Sequence, residues 1–518
     1  MDTRLESERR AAPESTAASW PTVSRGLSAA LVLSSLAALG GWLVLAAVHV
    51  DDRYRLDHVS GARMALAQYY NHGTLYPELY DGGFYGGTRF MPLPVVLHGA
   101  LARVTGEYLV SGKLLSYAIM VALLGVTFIL LRGMRCPLPI ALGLIATIVG
   151  TRTGLAAGMD LRADTLPLLL QLLAVAAVAR SRRTAPTVVA AALAALALFC
   201  KLHALWAPMA ICLWLLVVDR RRLAWFAGAY VLLVSALAAL FAAATDGRIF
   251  ENVVGLSAAG VQGVGSTLRA PYILLQLLVE QATGAWVLLP AAAVAGWLAL
   301  RERRTTIWLV ALVCALAVLL VVLVDVGTGW NQLVDVVVLA VLVVGQLVGR
   351  SWPAPAAGAV PALAALMLLW VNLGALAVTV VPDLQPALST LRGATGDPYG
   401  RRPLAGRATP GTRLLSEDPY VPVSLGQRPV VLDPFMLLRI GRRDPAAAQR
   451  LVDRIRAREF ELIVLVEPLQ PVDRPWWREV HLGTDVAEAV ADAYAPDGVV
   501  QGYYLYRPAP PSAAGTVG

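Results

Sequence analysis

The sequence predicts an all-α polytopic membrane bundle of about eleven transmembrane helices with one exported end. That end is a small extracytoplasmic α/β domain at the C-terminus. Three observations predict this fold class. Of the 518 residues, 57% are apolar and only 15% are charged, whereas soluble chains average about 25% charged residues. The apolar residues form blocks close to the roughly 20 residues that a bilayer-spanning helix needs. After residue 381 the composition becomes polar again.

The membrane module is predicted to cover residues 26–381. Its first span, 26–50, carries no formal charge and follows a mixed-charge segment, 1–25, which we interpret as a cytoplasmic tail before an uncleaved anchor. A long outer loop, 51–90, leads to an amphipathic interfacial piece, 91–104. The other predicted spans cover residues 108–131, 137–150, 165–179, 186–200, 203–218, 223–244, 284–300, 306–324, 336–348 and 358–381.

The arginine distribution predicts the orientation of these spans. Basic clusters follow alternate spans, near residues 132–135, 180–183, 220–222, 301–304 and 350. All of them lie on the cytoplasmic side of an inner membrane if the N-terminus is cytoplasmic, as the positive-inside rule requires. The loops 51–90, 151–164, 245–281 and 325–335 then face outward, together with everything after residue 381.

The polar end, 382–508, is predicted to be a small extracytoplasmic α/β domain. Apolar runs at 413–416, 429–433 and 461–467 are typical of short buried strands, a helical pattern covers 445–458, and 502–507 adds an edge strand. The last residues, 509–518, are predicted to be a disordered tail.

Composition and motifs exclude several function classes. The net charge of +8 comes from arginines beside the apolar blocks, so it indicates topology and not nucleic-acid binding. The four cysteines lie in or next to apolar segments, which argues against a disulfide framework. The chain contains no GxxxxGK[ST] loop, no GxGxxG after a strand and no HExxH. A substrate that reaches the outer membrane face, such as a lipid-linked donor, fits these restrictions.

Polar residues that could carry chemistry occur in four outer segments. The first outer loop is long and aromatic, and its candidates are Asp51, Asp52, Asp57, His58 and Tyr76. Long ordered loops are often functional, although a solvated loop is the simpler interpretation.

The other three segments each have a structural alternative. The segment Asp160-Leu-Arg162-Ala-Asp164 stands at the outer mouth of a span, where ionisable residues are functional candidates, unless Arg162 and Asp164 form a pair that only caps the helix. Lys201 lies in a turn between two apolar blocks, where it either extends to the headgroups or binds a phosphate, with Arg152 in the same outer layer. Asn331 belongs to a glycine-rich loop that is otherwise an ordinary polar turn.

In their order along the chain, these segments resemble the integral-membrane glycosyltransferases of the C superfamily (GT-C). The resemblance is to the bacterial branch with aminoarabinose transferases and protein O-mannosyltransferases. The residues that carry it are the acidic motif Asp57–Arg63, Gly73, Pro77, Phe90-Met-Pro92-Leu-Pro94, Arg162-Ala-Asp164-Thr-Leu, Phe199-Cys-Lys201 and Gly329-Trp-Asn331-Gln. One departure is His58, which stands where relatives usually carry glutamate.

The resemblance implies inverting transfer of a sugar from a polyprenyl-phosphate donor to a lipid, glycan or protein acceptor. Asp57 would be the general base, Asp164 would orient the acceptor or support Asp57, and Lys201, with Arg152 or Arg162, would bind the donor phosphate. Asp51, Asp52, His58, Tyr76 and Asn331 would line the substrate loop. No metal site is predicted, because one acidic and one histidine ligand candidate are too few to define a metal site. The cofactor is left unassigned, and a bound divalent ion remains an open alternative.

Two other function classes compete with this interpretation. A transporter or flippase would predict charged or broken helices near the membrane midplane and repeated halves, whereas the ionisable residues here crowd the outer boundary. A structural membrane protein would leave the outer carboxylates dispensable. The enzyme interpretation predicts that Asp57, Asp164 and Lys201 converge on one outer cavity.

Overall fold

The computed structural model describes residues 22–162, 164–258, 268–281, 285–325, 328–351, 359–391, 399–401, 403–404 and 406–510. Apart from residues 22–25 and 509–510, the predicted tails 1–25 and 509–518 lie outside the described residues.

The described part of the membrane module is mainly helical, with irregular segments such as 72–91 between the helices. Its helices are α1 Thr22–Val48, α2 His58–Asn71, α3 Pro92–Thr105, α4 Tyr108–Gly133, α5 Leu138–Gly150, α6 Arg152–Met159, α7 Thr165–Arg180, α8 Thr184–Cys200, α9 Trp206–Val218, α10 Arg220–Ala244, α11 Ala270–Gln281, α12 Ala285–Arg301, α13 Ile307–Val322, α14 Leu333–Ser351, α15 Ala359–Ala375 and α16 Val381–Leu391. Short π or helical turns occupy Phe250–Gly255, Leu256–Ala258 and Leu376–Val380, and a 3₁₀ turn occupies Trp330–Gln332.

Helix lengths and compositions show a multi-pass membrane protein. Five helices within the described ranges are long and apolar enough to cross a membrane alone: Arg25–Val48, Tyr108–Gly133, Arg220–Ala244, Trp330–Arg350 and Pro361–Ser389. A sixth results if α5 and α6, which bend by 72°, form one span. The other predicted spans coincide with shorter apolar helices, so the count of eleven stays a prediction.

Helix α14 lies at the centre of the bundle, since 78% of its most apolar window is buried, whereas only 6% of the corresponding window of α10 is buried. A buried hydrogen-bond network joins α1, α5 and α15: the Thr147 hydroxyl donates to the Asn372 side-chain oxygen (3.0 Å), and the Asn372 amide donates to Ser35 (3.3 Å). Such polar contacts fix the relative positions of helices that apolar packing alone would leave free to slide.

Three predicted outer loops are partly helical, which corrects the sequence interpretation. Helix α2 lies in the loop 51–90, α6 in 151–164 and α11 in 245–281. Both α2 and α6 begin at side-chain caps, since Asp57 accepts from the amides of Val59 and Ser60, and Thr151 accepts from Gly154. Most of α2 is buried around its circumference, so its sequence lacks the amphipathic period that predicts a surface helix.

The C-terminal domain contains a four-stranded sheet of order β1-β2-β4-β3. Its strands are β1 Leu414–Ser416, β2 Leu462–Leu465, β3 Tyr494–Val500 and β4 Tyr503–Pro508, and its helices are α17 Tyr420–Ser424, α18 Pro434–Arg443, α19 Pro445–Arg456 and α20 Thr484–Ala493. A π turn occupies Trp476–Val480. The β1–β2 pair is parallel, and the β2–β4 and β3–β4 pairs are antiparallel.

The predicted strand 429–433 is wrong. Its Val431 forms an isolated bridge with Tyr85 of the first outer loop and does not join the sheet. The Tyr85 amide donates to the Val430 carbonyl (2.7 Å), and the Leu432 amide donates to the Tyr85 carbonyl (2.9 Å). The apolar run is therefore buried by a contact between the membrane module and the C-terminal domain. Strand β3, which is half exposed, was missed.

Gly61 on α2 marks a close approach between that helix and the C-terminal domain. A methyl group there would overlap the Asp418 carboxylate and would lie 2.8 Å from the Tyr420 amide nitrogen. We expect Gly61→Ala to destabilise this junction by about 1–3 kcal/mol, as overpacking does. The apparent melting temperature in detergent and limited proteolysis of the junction would measure the effect. The control Gly125→Ala, on α4 with nothing within 4 Å, should change neither; equal effects in both variants would contradict the expectation.

Candidate active site

Asp57 stands at the N-terminus of α2 with its two carboxylate oxygens in different contacts. Oδ1 accepts hydrogen bonds from the amides of Val59 and Ser60, each at 3.1 Å. Oδ2 forms an ion pair with the guanidinium of Arg162. The helix N-terminus thus holds the carboxylate in place, and about a third of its side chain remains exposed to solvent.

Arg162 links Asp57 to a second acid, Asp160. The backbone amide of Arg162 donates to Asp160 Oδ1, and the side-chain Nε of Arg162 lies 2.8 Å from Asp160 Oδ2. The Ser60 hydroxyl of α2 donates to the same carboxylate (3.3 Å). Burial and the charge of Asp164 raise the pKa of Asp160 to about 8, against the opposing influence of the Arg162 amide and of Arg63. Strongly perturbed buried acids are candidates for function; the sequence indicates Asp160 as part of the segment 160–164 but gives it no role in the site.

Asp164 forms the second ion pair of the site. The Lys201 Nζ lies 2.5 Å from Asp164 Oδ1, and the Asn331 side-chain amide donates to Oδ2 (2.8 Å). Burial alone would raise the pKa of Asp164, but Lys201, Arg63 and Asn331 together hold it below its ordinary value. The carboxylate is therefore charged, and the predicted alternative of an Arg162–Asp164 cap pair is not observed, because Arg162 pairs with Asp57 and Asp160.

Arg63 is a cation that the sequence-based site prediction missed. It follows Asp57 and Ser60 at a spacing that places all three on one side of α2, and its guanidinium lies 4.8 Å from the centroid of the Phe90 ring. Its charge acts on both Asp164 and Asp160. Among the described residues it forms no hydrogen bond or ion pair, and its buried Nε has no partner. The signal that could have identified it is this helical spacing from Asp57.

The three residues expected to converge lie in two separate ion pairs, Asp57 with Arg162 and Asp164 with Lys201. The charges of Arg63 and Asp164 both act on the pKa of Asp160, which contacts Arg162. A cavity beside Arg63, lined also by His98, Ser116 and Leu161, holds about 20 Å³, which is room for one water molecule. Asp57, Asp164 and Lys201 do not line this cavity, so it is not the shared outer cavity that the sequence predicts.

The remaining predicted residues lie outside this network. Asp51 and Arg152 are exposed. Asp52 lies 2.5 Å from His49 Nδ1 and accepts from the Tyr54 amide, which is a structural role at the end of α1. Tyr76 is buried and donates to the Phe90 carbonyl (2.7 Å).

His58 faces away from Arg162, toward the C-terminal domain, where its ring packs against His481. Its neighbour Asp57 faces the membrane module, so the two side chains do not form a joint site. Within the described parts of the chain, no group of three or more histidine, cysteine, aspartate or glutamate residues could hold a metal ion.

Comparisons with known proteins place the fold. No protein-family model matches the chain, and no curated protein sequence is significantly similar to it. The crystal structure of ArnT from Cupriavidus metallidurans in the apo state is 14% identical, with alignment over 92% of this chain and 97% of ArnT and a TM-score of 0.57. ArnT bound to undecaprenyl phosphate gives a TM-score of 0.55 at the same identity and coverage.

At this identity the likeness shows a shared fold. The chain shares the fold of ArnT, in agreement with the fold that the resemblance of the sequence motifs implies. A shared fold does not by itself establish a shared function. The argument for an activity therefore depends on the geometry around Asp57 and Asp164.

Proposed function

We propose that this protein is an inverting glycosyltransferase that moves a sugar from a polyprenyl-phosphate donor to an acceptor at the outer membrane face. The observation that carries the proposal is the paired arrangement of two acids and two cations at one end of the apolar bundle. Asp57 faces Arg162, and Asp164 faces Lys201. ArnT, whose fold this chain shares, was crystallised bound to undecaprenyl phosphate. This likeness supports a lipid phosphate as the donor group.

The proposed step is a single displacement at the anomeric carbon. The acceptor oxygen forms a bond to that carbon while the bond to the donor phosphate breaks, and the lipid phosphate leaves with the electron pair. The acceptor proton passes to Asp57, because a carboxylate within hydrogen-bond reach of the nucleophile can act as general base. Attack from the side opposite the leaving group inverts the anomeric configuration.

The site's cations are suited to the leaving phosphate. Arg162 and Lys201 already neutralise carboxylates, whereas Arg63 has no described anionic partner. We infer that the donor phosphate binds Arg63 and competes with Asp57 for Arg162. Loss of the Arg162 pair raises the proton affinity of Asp57, so donor binding would strengthen the base that the reaction needs. Fixed cations also stabilise the charge that develops on the leaving group.

The assignment of regions follows the same proposal. Residues 1–25 form a cytoplasmic tail, 26–381 form the catalytic membrane module with its loop 51–90, and 382–508 form an extracytoplasmic domain. The chain lies in the inner membrane among lipids that include the donor, and the acceptor is a lipid, glycan or protein. Of the residues expected to line the substrate loop, Asn331 contacts the proposed site through Asp164, whereas Asp51 is exposed and Asp52, His58 and Tyr76 make other contacts; Arg152 is exposed and remains a phosphate-binding candidate.

Reconstitution of the purified full-length chain tests the proposal. Vesicles would contain a panel of polyprenyl-phosphate sugars and acceptors, and covalent transfer to the acceptor would be measured separately from movement of the donor across the bilayer. We expect transfer that depends on the donor lipid. Donor movement without transfer would identify a flippase instead, and the absence of both would contradict the proposal.

Asp160 provides a pH test of donor binding. Its raised pKa, about 8, means that it gains its negative charge only above that pH, beside the Arg162 that we assign to the phosphate. We expect the donor KM of the wild type to rise as pH increases through about 8, because the new charge competes with the phosphate. Asp160→Asn, which imitates the protonated form, should show a flat donor KM over this interval. The same pH dependence in both proteins would contradict the expectation.

A further inference from the structure

Helix α2 presents two different faces to its surroundings. Ser60 and Asp57 face the membrane module, where they contact Asp160 and Arg162. His58 and Gly61, each one position after these residues, share another face by their spacing of three residues and contact the C-terminal domain. The helix that carries the proposed base is thus packed between the two parts of the protein.

The contact at His58 is with a buried acid–histidine dyad, Glu417 and His481. The rings of His58 and His481 are nearly perpendicular, with centroids 4.0 Å apart. His481 Nδ1 lies 2.5 Å from Glu417 Oε1, and both side chains are fully buried. The same carboxylate accepts from Trp476 Nε1 (2.8 Å) and from the Val466 amide (2.7 Å). Three segments of the C-terminal domain, the ends of β1 and β2 and the π turn Trp476–Val480, therefore converge behind the His58 ring.

This dyad has no part in the proposed transfer step. Its burial costs free energy, because the carboxyl and imidazole groups lose their hydration. Burial raises the pKa of Glu417 to about 8 and lowers the pKa of His481 to about 3. A carboxyl group that holds one imidazole nitrogen fixes the orientation of the ring. Among the described residues the other ring nitrogen, Nε2, is buried without a hydrogen-bond partner, so the Glu417 contact is what orients the ring against His58.

Two further contacts hold the chain on either side of Asp57. Before it, the Arg53 guanidinium lies 4.6 Å from the centroid of the Tyr503 ring and donates to the Gln501 carbonyl (3.1 Å). After it, Gly61 packs directly against the Asp418 carboxylate. Together with His58, these contacts fix the segment 53–61 from the side opposite the ion pairs.

We propose that the Glu417–His481 dyad is a positioning device for Asp57, acting through His58, so that the C-terminal domain is an integral part of the active site. The inference rests on the proposed function for its catalytic consequence, and on the contacts of α2 for its structural one. A shift of about 1 Å in a catalytic group can cost about 100-fold in rate. Loss of the dyad therefore reduces kcat, while donor binding by Arg63 and Lys201 of the membrane module is retained.

Kinetics of the full-length protein test the catalytic consequence. We expect His481→Ala and His58→Ala each to lower kcat by about 10- to 100-fold, with the donor KM within about twofold of the wild type. The double variant should fall no further than the more affected single variant, because both remove one path of support. Tyr494→Phe is the control, since it removes a buried hydrogen bond to the Phe460 carbonyl inside the same domain (3.0 Å). Unchanged kcat in His481→Ala, or additive losses, would overturn the proposal.

Amide hydrogen exchange tests the structural consequence without any reaction. The amides of Val59 and Ser60 are bonded to Asp57 Oδ1, so their protection reports directly on this carboxylate. We expect faster exchange there in His481→Ala, with no change in α4 and none in Tyr494→Phe. Unchanged exchange overturns the positioning role even if the wild type transfers sugar. Faster exchange in a protein whose wild type transfers nothing supports the positioning role and contradicts the proposed function.

Discussion

Asp57→Asn should lower kcat for sugar transfer by about 10²–10⁴-fold, the usual contribution of a general base. The substitution removes the basic carboxylate but keeps the side-chain cap of helix α2. Asparagine is as good a helix N-cap as aspartate, so its side-chain oxygen can still accept from the Val59 and Ser60 amides. It cannot accept the acceptor proton at neutral pH. Donor binding should persist, because Arg162 is then freed from its ion pair and remains available to the phosphate.

Initial rates and donor binding, measured with the same reconstituted protein, would check this expectation. Asp81→Asn is the matched control, since it removes a carboxylate of the same outer loop that forms an exposed ion pair with Arg428 (3.2 Å). It should retain wild-type kinetics. Transfer by Asp57→Asn at more than about a tenth of the wild-type rate would assign the base elsewhere, with Asp160 as the next candidate.

Lys201→Met should abolish activity and also destabilise the membrane module by about 3–5 kcal/mol, the usual cost of removing one partner from a buried ion pair. Asp164 is only 4% exposed in its side chain, so its charge would lose its principal counter-ion. Methionine preserves the unbranched length of the lysine stem, which limits any loss of packing. The apparent melting temperature and the transfer rate would both be measured.

The double variant Lys201→Met with Asp164→Asn separates the two effects. Replacing both charges of a buried pair often restores stability, and the asparagine introduced in place of Asp164 can keep a hydrogen bond with Asn331. We expect recovery of much of the melting temperature without recovery of transfer. Recovery of both would make the ion pair purely structural, and recovery of neither would show that other contacts of Lys201 dominate.

Much of the membrane module could be predicted from the sequence. Each predicted span overlaps an observed helix, because a helix that faces lipid must be apolar along its whole length, although the last helical span continues to Ser389, beyond the predicted end at residue 381. The short helices of the outer loops could not be predicted in this way. Helix α2 is buried on several sides by partners from different regions, and such burial leaves no periodic pattern in the sequence.

The strands of the C-terminal domain could also be predicted only in part. The predicted strands 413–416 and 461–467 contain β1 and β2, since continuous apolar runs are typical of a buried sheet. The run at 429–433 is equally apolar, yet it packs against Tyr85 of the first outer loop. Composition alone does not distinguish burial in a sheet from burial at an interface between two parts of a chain.

The sequence by itself determined that the protein is a multi-pass membrane protein, and it indicated Asp57, Asp164, Lys201 and Asn331 as polar residues at span ends. These are local properties of hydropathy and charge. Only the tertiary structure decided the pairing: Asp57 with Arg162 across 105 positions, Asp164 with Asn331 across 167. It also showed that Arg63 lacks a described counter-ion and that the Glu417–His481 dyad lies behind His58. The physical reason is that an ion pair or a ring contact depends on distances of a few ångströms, which helix packing sets and which separation along the chain does not encode.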